Sequence, residues 1–144
     1  MKSILTTLAA LMLAATLNAA ESAWTTDLPA AQAKAKKEKK LVVMNFTGSD
    51  WCGWCKKLHK EVFATPEWET FAKENLVLVE LDFPSAKKQS DALKKANEAL
   101  KSEYKAQGFP TIVVLDSEGK VAWRQVGYME GGPKAWIGKL KGLK

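Results

Sequence analysis

Cysteine and histidine are scarce in this chain: its 144 residues include two cysteines and one histidine. Two cysteines exclude a disulfide-dense scaffold, and one histidine leaves a Cys/His zinc cage short of ligands. No internal repeat, low-complexity tract or interdomain linker interrupts the sequence, and the length is too small for two ordinary domains. No apolar run reaches the ~18 residues expected of a membrane span. What remains is the profile of one soluble globular domain. It is 47% hydrophobic and 26% charged, too apolar for disorder, and its six tryptophans can fill a core.

The longest apolar run, Ile4 to Leu17, is broken only by threonines and follows a short basic start, Met1-Lys2. Small residues, Asn18-Ala19-Ala20, precede the first charge at Glu21. This is the layout of a secretory signal peptide over residues 1–20, which leaves a domain of residues 21–144. The alternative is an uncleaved N-terminal anchor. No cysteine follows the run, so a lipid-modified anchor is not expected. The mature protein is expected to be periplasmic or secreted, where disulfides persist, without stable membrane insertion. The formal charge of +6 is spread along the chain. Its densest lysines, Lys34, Lys36, Lys37, Lys39 and Lys40, read as a solvated helix face. No nucleic-acid partner is expected for an exported protein, and the domain is expected to be a monomer.

Asp27 and Pro29 can open a helix that runs to about Lys39. Leu41–Phe46 is a continuous apolar run suited to a strand buried on both faces. From Cys52 the pattern turns helical, with Cys55, Leu58 and Val62 at three- and four-residue spacing. Thr65-Pro66 caps a further helical turn carrying Trp68 and Phe71. Leu76–Leu81 reads as a second buried strand. Ser85 to about Lys105 reads as helix, with Leu93, Ala96, Leu100 and Tyr104 on one face. Thr111–Leu115 and Val121–Val126 flank a four-residue turn and should form an antiparallel hairpin. Gly131-Gly132-Pro133 opens a last helix with Trp136 and Leu140. The order predicts an α/β fold, a central mixed sheet covered by helices on both faces.

The chemistry-bearing motif is Trp51-Cys52-Gly53-Trp54-Cys55, directly after a buried strand and opening a helix. Residues three apart on a helix share a face at about the ~5–6 Å Cα separation that a disulfide requires. Cys52 would stand where unpaired N–H groups and the helix dipole favour negative charge, and Lys56 and Lys57 add positive potential. Both effects stabilise a thiolate, the nucleophilic form. Cys55, one turn deeper beside Leu58, is placed to resolve a mixed disulfide formed at Cys52. The favoured reading is a redox pair. Two others stay open: a metal-handling module with Cys52, Cys55 and His59 on copper or zinc, and a non-catalytic binding protein.

With this motif after the Leu41–Phe46 strand, and Gly108-Phe109-Pro110-Thr111 before the third strand, the sequence resembles the thioredoxin superfamily. The stretch Phe46-Thr47-Gly48-Ser49-Asp50-Trp51-Cys52 is similar to exported thioredoxin-like proteins of bacteria, and the likeness covers nearly everything after the leader. It implies a thioredoxin-like fold, Cys52 and Cys55 as the catalytic pair, and protein thiols and disulfides as substrates. It implies a redox partner protein and no cofactor, and it favours the reducing direction. It further implies a cis bond before Pro110, which would set the Phe109 main chain beside Cys52 to pair with an extended substrate. Trp51 and Trp54 would supply apolar surface around the sulfurs. There are two departures. Trp54 stands where thioredoxins usually carry proline, and their buried aspartate maps to Asn45, which cannot accept a proton. Glu80 on the neighbouring strand, or His59 on the Cys55 face, could move that proton instead. Phe63, Phe71, Trp123 and Trp136 read as packing.

Overall fold

The structure, a computed structural model, describes residues 23–144; the leader expected over residues 1–20 lies outside them. Five strands form one sheet in the order β1-β3-β2-β4-β5, namely β1 (Trp24–Thr25), β2 (Leu41–Thr47), β3 (Leu76–Asp82), β4 (Thr111–Leu115) and β5 (Val121–Val126). β1 and β2 run parallel to β3, whereas β4 is antiparallel to both β2 and β5. The mixed sheet expected from the sequence is therefore present, with β1 added as a two-residue edge. Five helices cover it, α1 (Leu28–Glu38), α2 (Gly53–Leu58), α3 (Pro66–Asn75), α4 (Asp91–Glu103) and α5 (Gly132–Lys141).

Each helix begins where the local chemistry allows. The Asp27 carboxylate accepts the Ala30 N–H at the head of α1, and Pro29 fits the first turn, where its missing N–H costs nothing. Thr65 and Ser90 cap α3 and α4 in the same way, accepting from Trp68 and Leu93. All seven residues of β2 are buried, as a strand covered on both faces requires. Its alternation divides the core in two. Leu41 and Val43 pack with Leu58 of α2, Val62 and Phe63 just after it, Trp68 of α3, and Trp136 and Leu140 of α5. Val42, Met44 and Phe46 pack with Leu28, Ala31 and Ala35 of α1 and with Leu100 and Tyr104 at the end of α4. Asn45 and Glu80 share the parity of the first group, so both side chains lie on the α2 face.

Three local expectations change. The segment from Ser85 is not helical until Asp91, because the Asp50 carboxylate takes the N–H groups of Ser85, Ala86 and Lys87. On α4 the buried position is Asn97, not Ala96, which is exposed; the Asn97 side-chain amide donates to the Asp82 carbonyl. After α2 the helix relaxes into a π-helical turn, His59–Phe63, which buries both Val62 and Phe63.

Candidate active site

β2 ends at Thr47, and the next five residues turn the chain into α2. The N–H groups of Trp51 and Cys52 both donate to the Gly48 carbonyl, at 3.3 and 2.8 Å. That turn sets Cys52 at the N-cap of α2, its sulfur accepting the Cys55 N–H at 3.2 Å. Cys52 and Cys55 are joined by a disulfide, with their Cα atoms 5.2 Å apart. Both are largely buried, at 6% and 5% exposure.

Three consecutive residues of the loop are fastened to the last residue of β3 and the chain that follows it. The Asp82 carboxylate accepts from the Ser49 N–H at 2.9 Å and from its hydroxyl at 2.5 Å. The Asp50 carboxylate accepts three successive backbone N–H groups, which hold its pKa down to about 2. The Trp51 indole N–H donates to the Phe83 carbonyl at 2.8 Å. The Trp51 ring lies so close over Gly48 that a side chain at that position would run into it. Trp51 is thus held rigidly although half its surface is open. The roles of Asp50, Asp82 and Phe83 leave no local signal in the sequence, since the partners they bond here lie more than thirty residues away.

Two aromatic groups flank the disulfide on opposite faces of the sheet. On the α4 face, Trp51 meets Phe109 edge-on at 5.6 Å, and Phe109 meets Phe83 at 5.3 Å. The Lys101 ammonium lies 5.4 and 5.8 Å from the Phe83 and Phe109 rings. On the α2 face, Trp54 lies 5.6 Å from Tyr128, with the Lys57 ammonium 5.2 and 4.8 Å from the two rings. The Tyr128 hydroxyl donates to Glu61, and this hydrogen bond raises the phenol pKa. Pro110 is buried after a cis peptide bond, as the resemblance implied. Phe109, before it, is half-buried. Trp51 and Trp54 thus adjoin the cysteines in the chain, Phe109 meets Trp51 and precedes Pro110, and Phe83 and Tyr128 extend the two aromatic groups.

Beneath the helix the departures take physical form. Asn45 is 8% exposed and its Oδ1 has no hydrogen-bond partner. Glu80 stands beside it in the β2–β3 register. Burial, and then the charge of Asp82, push the Glu80 carboxyl above its ordinary range. His59 is exposed and opens the π-helical turn instead of continuing α2. Among the described residues no three His, Cys, Asp or Glu side chains are gathered to hold a metal ion, so His59 completes no such site with the two sulfurs.

Comparison with known proteins agrees with this geometry. Residues 28–141 match the thioredoxin-like domain family. The disulfide bond reductase DsbH of Chlamydia pneumoniae is 39% identical over 107 residues, which span 74% of this chain and 64% of that protein. The match thus spans less than two thirds of that relative's length. A solved DsbH oxidoreductase superposes with a TM-score of 0.77 at 36% identity, covering 83% of this chain and 82% of the other. The C-terminal domain of Neisseria meningitidis DsbD in its reduced form gives 0.60 at 26% identity, covering 83% and 98%. A Cys-Gly-Trp-Cys pair at the head of α2, a cis-proline before β4 and a family match that runs from α1 to α5 converge on one assignment: the chain belongs to the thioredoxin-like family.

Proposed function

We propose that the protein is a thiol–disulfide oxidoreductase that reduces disulfides of exported proteins through Cys52 and Cys55. The observation that carries this is the disulfide itself, closed within the first turn of α2 and bordered by exposed Trp51 and Trp54. In the reduced protein the Cys52 thiolate attacks one sulfur of a substrate disulfide. The substrate S–S bond breaks, one substrate thiolate leaves, and a mixed disulfide to Cys52 remains. Cys55, as thiolate, then attacks the Cys52 sulfur, closing the internal disulfide and releasing the second substrate thiolate. Two electrons have passed to the substrate, and a redox partner protein must return them.

The Phe109 main chain, next to Pro110 at the start of β4, offers an extended substrate a backbone to pair with. Export is supported by the leader-like run before Glu21. Among the described residues no helix is long and apolar enough to cross a membrane. The reducing direction is supported by the printed function of the Chlamydia relative.

Trapping tests the mechanism. The Cys55→Ser variant should accumulate a mixed disulfide with a cystine-containing protein, and Cys52→Ser should not; failure to trap with Cys55→Ser would overturn it. Equilibration with glutathione tests the direction. A potential nearer the about −270 mV of thioredoxin than the about −120 mV of DsbA is expected, and a value at the oxidising end would reverse it.

A further inference from the structure

We propose that Lys57, Trp54 and Tyr128 form a subsite that selects substrates carrying a carboxylate and an apolar side chain beside the reacting cysteine. The inference rests on the oxidoreductase reading and names the substrate class for that site.

The first support is position. Trp54 lies between the two cysteines and Lys57 two residues beyond them. Val126 pairs with Thr111, the residue after Pro110, and the Gly127 N–H donates to the Pro110 carbonyl at 2.8 Å. Tyr128 follows at once. The end of β5 and the end of α2 therefore meet at the same rim as the disulfide. The second support is exposure. Trp54 is 58% exposed and stands on the α2 side of the disulfide. A substrate strand beside Phe109 would find apolar surface on this flank without any rearrangement.

The third support is charge. Two rings hold the Lys57 ammonium over the patch, which fixes its position without neutralising it. The nearby Glu61 carboxylate accepts from the Tyr128 hydroxyl and keeps its charge there, and the exposed Glu130 also raises that phenol's pKa. Among the described residues the ion pairs are Lys36–Glu118, Lys40–Glu38 and Lys101–Glu98, so Lys57 has no carboxylate partner of its own. Lys101 also lies over two rings, but Glu98 stands 3.6 Å from it and offsets its charge. Of these two ring-held ammonium groups, only Lys57 has no carboxylate within ion-pair distance, so an acidic substrate residue would find its partner on the α2 side.

The test uses the reduced protein and synthetic disulfide-linked peptides that differ only beside the cysteine: Phe-Glu, Phe-Lys or Gly-Glu. Ratios of second-order rates are compared within each variant, so changes in the reactivity of Cys52 cancel. The Phe-Glu peptide should react about three- to fivefold faster than Phe-Lys, the range of one exposed ion pair. Lys57→Gln should bring that ratio close to one and Lys57→Glu should invert it. Lys36→Gln, which removes the same charge from α1, should leave it in place. Tyr128→Ser should erase the preference for Phe-Glu over Gly-Glu. A wild-type ratio of one, or a ratio lowered equally by Lys36→Gln, would overturn the subsite. Uncharged bis(2-hydroxyethyl) disulfide separates the two claims. If the protein reduces it yet ignores the peptide differences, the subsite alone fails; if it reduces neither, the oxidoreductase reading fails with it.

Discussion

Asn45 and Glu80 stand side by side across the parallel pair β2–β3, on the face covered by the active-site helix. One is an amide whose buried oxygen accepts nothing, the other a carboxyl lifted above its ordinary range by burial. Together with the next pair, Thr47 and Asp82, they make this end of the α2 face polar, and the protonation of Glu80 has a measurable consequence.

A carboxyl whose folded-state pKa is raised contributes stability that is full below its unfolded pKa and lost as pH rises through the folded value. At neutral pH an ionised Glu80 therefore costs stability. Glu80→Gln should unfold at higher temperature than wild type at pH 7, and the gap should close as pH falls below 4.5, the ordinary value for this group. Thermal unfolding across that range checks it. A gap that does not change with pH would assign the effect to packing.

Asp50 behaves in the opposite sense. Its pKa is depressed to about 2 by three backbone donors, so its contribution is present above the ordinary 3.8 and disappears as pH falls through about 2. Asp50→Ala should strip hydrogen-exchange protection from the amides of Ser85, Ala86 and Lys87 at any pH. In the wild type the same three amides should lose protection only in acid. Exchange measured by NMR resolves each amide.

Gly48→Ala should displace the Trp51 ring, because the new methyl group would occupy its place. The indole N–H would then leave the Phe83 carbonyl, which shifts its proton resonance and speeds its exchange. Disulfide reduction should slow, since the Trp51–Phe109 contact beside Cys52 is lost with it. An unchanged indole resonance would show that the turn had absorbed the methyl group.

Trp136 is fully buried among Phe63, Trp68 and Trp123. Trp136→Ala should cost about 3–5 kcal/mol in urea denaturation, as large core truncations do. Its indole N–H has no partner, so Trp136→Phe breaks no hydrogen bond and should cost no more than about half as much. Equal losses in the two variants would mean that the N–H is satisfied after all.

The features legible in the sequence were those fixed by local chemistry. Unbroken apolar runs gave β2, β3 and β4, and Asp27, Thr65 and Pro29 marked helix starts. The spacing of Cys52 and Cys55 after a buried strand pointed to the pair. What stayed hidden depends on partners distant in the chain. Asp50 reads as a surface acid until Ser85–Lys87 are known to sit against it, and that contact also delays α4. Tyr128 reaches the site only through the β4–β5 register. The π-helical turn is a shift of hydrogen bonds with no residue to announce it, and β1 is too short to leave a periodic signal.

β1 sets a limit on how far the N-terminus can be shortened. It spans only Trp24 and Thr25, pairs with Leu78 and Val79, and lays the Trp24 ring 5.1 Å from Phe63. A chain trimmed past Ala23 would lose both the edge strand and the ring that covers Phe63, which itself packs against Trp68 and Trp136. Any processing of the N-terminus must therefore stop before Trp24 to leave the sheet intact.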